Sequence, residues 1–168
     1  MKPSTSATAT QQSGASTNSA TPKTQTAKVT AAPGDGSGGL VDACTLLTKA
    51  DITEVIGEGG DGQVTNDPPT STCFWFSTTA DGLIARVEVV LYTKSNAQDV
   101  ADYYAGFTGD PVDGIGEKAK WVGSITTLEV LQGNYDLQLS VARPIDKTPA
   151  DQLNASKALA QKALARLP

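Results

Sequence analysis

The chain contains no histidine, and that absence excludes more than any motif present. Histidine titrates near neutrality and is the commonest protein ligand for transition metals. Without it a Ser-His-Asp relay cannot be assembled. No C-x-x-C and no S-x-x-K occurs either, which removes the dithiol redox motif and the serine–lysine nucleophile. No apolar run approaches the roughly 18 residues of a membrane-spanning helix. Residues 1–39 lack aromatics, leucine and isoleucine, and carry four charges, Lys2, Lys23, Lys28 and Asp35. A segment so rich in Ser, Thr, Ala, Gln and Gly cannot bury enough apolar surface to offset its ordering entropy. It reads as a disordered tether whose r.m.s. span, for a flexible linker, is about 35 Å.

What is present begins at Leu40. Every aromatic residue lies between Phe74 and Tyr135, so the expected globular unit is a single domain at 40–168. Setting aside the three lysines and one aspartate of the tether leaves 10 basic and 17 acidic groups, net −7. That balance disfavours nucleic acid and anionic lipid headgroups as partners. Two cysteines, an acidic balance and a Ser/Thr-rich leader fit a secreted, disulfide-closed domain better than a cytosolic enzyme. Met1-Lys-Pro-Ser has no apolar core of a signal peptide. The expectation is that a leader preceded Met1 and that the tether joined the domain to an N-terminal lipid anchor at the cell surface. Contact with the membrane would then run only through that lipid.

Three helices are marked by their caps. Thr48-Lys-Ala-Asp51 is a capping-box start, with Ile52, Val55 and Ile56 on one face and Gly57 as the stop. Ser95-Asn-Ala-Gln98 opens a second, carrying Val100, Tyr103 and Tyr104 before Gly106. Thr148-Pro-Ala-Asp151 opens the third, with Pro149 at the favoured first position and Leu153, Ala160, Leu164 and Leu167 at helical spacing. Between them the period switches to two. In 83–92 the odd positions are all apolar, while the even ones include Arg86 and Glu88; in 135–141, Tyr135, Leu137, Leu139 and Val141 face a core. Asp81-Gly82, Gly123-Ser124 and Gly133-Asn134 predict turns, the last two as two-residue hairpins. This order predicts an α+β fold: an antiparallel sheet of meanders and hairpins, three helices packed on one face, and a weak internal αβββ repeat.

Asp42-Ala-Cys44-Thr-Leu-Leu-Thr48, the short helix to Gly57 and Cys73-Phe-Trp75 resemble the secreted bacterial lipoproteins grouped as "domain of unknown function 3558". Gly114-Ile-Gly116-Glu-Lys-Ala119-Lys-Trp121, the two strands after it and the Ala/Leu-rich final helix fit the same pattern. The resemblance covers residues 41–167, although the family's lipoprotein cysteine and signal peptide are absent. It implies an extracytoplasmic domain with a Cys44–Cys73 disulfide, and it implies no reaction.

The residues themselves leave the cysteine pair three readings: a disulfide, two buried thiols, or a redox or metal pair. Missing histidine and C-x-x-C weigh against the last. A disulfide closing a loop of this length is worth roughly 3.5 kcal/mol on the chain-entropy model. Gly57-Glu-Gly-Gly-Asp-Gly62 matches G-x-G-x-x-G, but it follows a helix and carries Glu58 and Asp61 where phosphates would sit. The expectation there is an acidic, mobile turn. Asp61, Asn66 and Asp67, and separately Asp110, Asp113 and Glu117, are oxygen-rich loops without calcium-loop spacing. Asn154-Ala-Ser156 is a glycosylation sequon inside a helix. Phe74, Trp75 and Phe76 make both faces of one strand apolar; core filling is the leading reading for them and for Trp121, and the candidate binding surface, the other reading, is Trp75 with Trp121. No catalytic, cofactor or metal residue is assigned and no cofactor is expected. The function expected is that of a monomeric, non-enzymatic domain binding a partner protein or small ligand. The alternative is a carboxylate-dependent hydrolase, which would show two facing carboxyl groups in a cleft, one with a raised pKa.

Overall fold

The computed structural model describes residues 39–146 and 148–168. The tether expected at 1–39 lies, but for Gly39, outside them. A 3-10 turn, Ala43–Thr45, precedes α1 (Lys49–Ile56). Strands β1 (Gln63–Asp67), β2 (Thr70–Thr78) and β3 (Ile84–Thr93) lead to α2 (Ala97–Ala105). Strands β4 (Asp110–Pro111), β5 (Lys118–Val122), β6 (Thr127–Gln132) and β7 (Tyr135–Ala142) lead to α3 (Pro149–Leu164). The fold is α+β, with one seven-stranded antiparallel sheet in the order β1-β2-β3-β7-β6-β5-β4.

The helices start where their caps place them. Thr48 and Asp51 close a capping box on α1, and Thr148 and Asp151 close another on α3. Each box satisfies orphan N–H groups of the first turn. α2 begins one residue later than Ser95 predicts: Asn96 is the cap, its side chain accepting from Gln98 N at 2.9 Å. Gly57 stops α1 at φ +79°. Gly133-Asn134 is the two-residue hairpin expected, since Gln132 pairs with Tyr135. Gly123-Ser124 is not: Val122 pairs with Thr127, so the loop has four residues, and Thr126 takes the positive φ, +52°.

Register sorts every side chain onto one of two faces, because successive strand residues alternate. Trp75 pairs with Val87, Val87 with Val141, Leu139 with Leu128 and Leu128 with Trp121. These residues, with Cys73, Val89, Leu91, Leu137 and Val130, form one apolar face. α1 and α3 cover it through Ile52, Ile56, Ala155, Leu159, Ala160 and Ala163, all buried in the same core. The buried stripe of α3 is thus rotated from the one expected. Ala160 is in it, whereas Leu153, Leu164 and Leu167 pack at its margin. An acid–base network ties the two helices. Lys162 reaches Asp51 at 3.2 Å and Glu54 at 2.5 Å, and Arg166 reaches Asp51 at 2.9 Å and the Leu46 carbonyl at 2.9 Å.

The helices are not segregated to one face. Tyr103 of α2 stacks on Tyr92, with ring centroids 4.0 Å apart, and Tyr92 is an even-numbered residue of β3. α2 packs over β6 and β7 on that opposite face, and its Val100 is fully buried outside the main core. The αβββ order expected twice occurs once, as α1-β1-β2-β3; the second half is α2 followed by four strands, the two-residue β4 being the extra one, and β3 and β7 meet at the centre. The leading helix of each half lies on a different face.

Candidate functional site

The second face of the sheet holds the side chains that the core does not explain. It has two halves. One runs over β2 and β3, where register places Phe76 beside Arg86 and Phe74 beside Glu88. The two phenyl rings stack at 6.3 Å, and Arg86 pairs with Glu88 at 3.3 Å. No helix of the described residues covers this half. Phe76 is 42% exposed and the adjoining Ile84 is 66% exposed, an apolar strip flanked by an ion pair that neutralises itself.

The other half lies beneath α2 and is sealed. Lys120, Glu129 and Asp136, from three adjacent strands, are 7%, 1% and 0% exposed. The Lys120 ammonium stands 3.2 Å from Glu129 and 3.6 Å from the centre of the Tyr104 ring. It donates to the Tyr104 carbonyl and, at 2.8 Å, to that of Phe107. A cation therefore sits against carbonyls at the C-terminal end of α2, where the helix dipole favours positive charge. Burial pushes the Glu129 carboxyl up, only partly offset by its neighbours. Burial, and then the charge of Glu129, push Asp136 up to about 8. Here are two facing carboxyl groups, one strongly raised, but with no cleft. A pocket of about 380 Å³ lies along the 109–120 segment and is lined by Lys120 and Tyr104 but by neither carboxylate.

The residues expected to matter are placed as follows. Cys44 and Cys73 are joined in a disulfide, Cα to Cα 5.1 Å, linking the 3-10 turn ahead of α1 to β2. Such a bond fits an oxidising compartment outside the cytoplasm. Trp75 and Trp121, the candidate binding surface, are 3% and 6% exposed and belong to the core. Both take odd register positions facing α1 and α3, so Phe74 and Phe76 are left on the other side. The G-x-G-x-x-G segment is hydrogen-bonded to the edge of β2. Gly60 N donates to the Phe76 carbonyl at 3.1 Å, Ser77 Oγ to the Glu58 carbonyl, and Gly59 bridges Ser77. Gly62 closes over the disulfide, where a Cβ would stand 2.7 Å from Cys73 Sγ and 2.8 Å from Trp75 Nε1.

Among the described residues no three His, Cys, Asp or Glu side chains gather in a group that could hold a metal ion. In the two oxygen-rich loops, Asn66 accepts from Ser71 Oγ at 2.7 Å and Glu117 accepts from Gly133 N at 3.0 Å. Ser156 of the sequon is fully buried in α3. No helix of the described residues is long and apolar enough to cross a membrane. The sequence reading missed Glu129 and Asp136. One signal was there: Leu128-Glu-Val-Leu131 has apolar residues on both faces, the mark of a strand buried on both sides. Comparison with protein-family models, with curated proteins and with solved structures finds no match to this chain.

Proposed function

We propose that the domain is a non-enzymatic binding module working outside the cytoplasm, engaging a partner protein or small ligand through the uncovered half of its sheet. The observation that carries this reading is the Phe74–Phe76–Ile84 strip. These side chains share one face of paired strands, and no helix of the described residues covers them; exposed apolar patches mark interaction sites. The hydrolase reading is disfavoured by the burial of its facing carboxyl groups: side chains 0–1% exposed cannot meet a glycosidic or ester bond. Anchoring at the cell surface by an N-terminal lipid belongs to the same proposal. It rests on the resemblance to the secreted lipoproteins and on the linker-like composition of 1–39.

A photo-crosslinking amino acid at position 76 or 84, introduced in the producing cells, tests the proposal. Both positions are expected to capture the same discrete species, which Gln161, exposed on α3, does not capture. Equal labelling at all three, or none at 76 and 84, would count against it.

A further inference from the structure

The buried charges beneath α2 do not balance. One ammonium, Lys120, meets two carboxyl groups, Glu129 and Asp136. Lys120 directs two N–H bonds at the Tyr104 and Phe107 carbonyls and stands 3.2 Å from Glu129, which leaves none for the buried carboxyl oxygens of Asp136. A second carboxylate beside an ion-paired one, away from water, is strongly unfavourable. A single proton resolves both problems: it makes one carboxyl a donor to the other and brings the cluster to neutrality. We propose that this shared proton latches α2 to the sheet, and that its loss as the pH rises releases α2 locally while α1 and α3 stay docked.

The geometry supports a local release. α2 has nine residues, too few to be stable unsupported. It is held by buried Val100, by the Tyr92–Tyr103 stack, and by Lys120 bound to its terminal carbonyls. The groups facing the cluster are Tyr103 and Tyr104 from α2, Tyr92 from β3, Lys120 from β5 and uncharged Gln138 from β7. Burial raises both helix tyrosines further, so they remain neutral. Lys94 stands 5.9 Å from the Tyr92 ring, and Lys118, on the Lys120 face of β5, is exposed. With α2 open, Asp136 returns to the ordinary aspartate value near 4; with α2 closed it is about 8. The closed form therefore holds the extra proton across that interval. Opening becomes easier by up to about tenfold per pH unit between those values and levels off above the higher one.

Hydrogen exchange of the full chain from pH 5 to 9, corrected for intrinsic rates, tests this. Peptides spanning 97–107 are expected to open at least about 100-fold more at pH 8 than at pH 5 and to change little from 8 to 9. Peptides from α3 should change less than about threefold. Asp136→Asn removes the titrating charge and should flatten the α2 profile; Glu129→Gln, which supplies an amide donor in place of the proton, should do the same if the first variant does not fold. A flat wild-type profile, α2 and α3 opening in step, or an undiminished rise in whichever variant folds would overturn the proposal. The crosslinking positions 76 and 84 lie outside the α2 footprint, so this test can fail without touching the binding proposal.

Discussion

The two faces of this sheet are built from the same seven strands and solve opposite problems. Toward α1 and α3 the side chains are apolar from Cys73 to Trp121, helices cover them, and the charges lie at the margin, where Asp51, Lys162 and Arg166 pair. Toward α2 a lysine and two acids are buried, and over β2 and β3 nothing is buried deeply at all. Burying apolar area contributes stability in proportion to area. Burying ions returns little and often costs, because desolvation competes with attraction. The first face is thus where the fold is held, and the second is where its chemistry can change with surroundings.

The disulfide gives the largest way to sharpen that contrast. It belongs wholly to the first face, so Cys44→Ser with Cys73→Ser is expected to cost roughly 2–4 kcal/mol in urea denaturation. The 3-10 turn, α1 and the Gly62 segment packed on the sulfurs should lose protection first. If α2 loosened as much as α1, the two faces would not be independent, and the comparison would fail.

The sequence made one face readable and hid the other, for a physical reason. Alternation in 83–92 and 135–141 depends on each strand having one dry side, and both segments pair as their patterns require. Caps fixed the start of α1 and α3 because Thr and Asp three residues apart satisfy each other's backbone groups locally. What a helix covers is not local. Nothing in Val100, Tyr103 and Tyr104 says which face of the sheet they meet, so the expectation of one helical face fails at α2, and the burial of Asp136 beneath it is not legible. The sequence leaves the tryptophans between core and surface for a related cause. Three aromatics in a row guarantee that both faces are apolar, and only the register with β3 decides that Trp75 points inward and Phe76 outward. β4, of two residues, is too short for any period.

Acidity separates the faces by sign. At Asp51, burial pushes the carboxyl up. Hydrogen bonds from the Thr48 side chain and backbone and from Lys162, with the charge of Arg166, outweigh it and hold the group well below the usual carboxylate range. Its contribution is therefore complete above the unfolded value near 4 and is lost as the pH falls. Asp136 is raised to about 8, so its contribution is complete below about 4 and is lost as the pH rises toward 8. Stability measured by thermal or urea unfolding should peak near pH 4–5. Asp51→Asn should flatten the acid limb and Asp136→Asn the alkaline limb. An alkaline limb that survives Asp136→Asn would move the titration to another group.

The smallest expected effect is at Phe76, and it tests the contrast at its finest scale, between neighbours on one strand. Trp75 is in the core at 3% exposed, whereas Phe76 is 42% exposed, its ring stacked on Phe74 with centroids 6.3 Å apart. Truncating a buried tryptophan costs about 3–5 kcal/mol, because it removes transfer energy and leaves a cavity. Phe76→Ser removes a ring that water already reaches, and changes at such sites usually fall within about 0.5 kcal/mol. The serine hydroxyl stays solvated, so no buried polar group is created. Equal urea midpoints for wild type and Phe76→Ser, with loss of the captured species when Phe76→Ser is combined with a crosslinker at position 84, would separate binding from folding. A loss of 2 kcal/mol or more would mean that the ring is core, and that the strip on β2 and β3 is not a free surface.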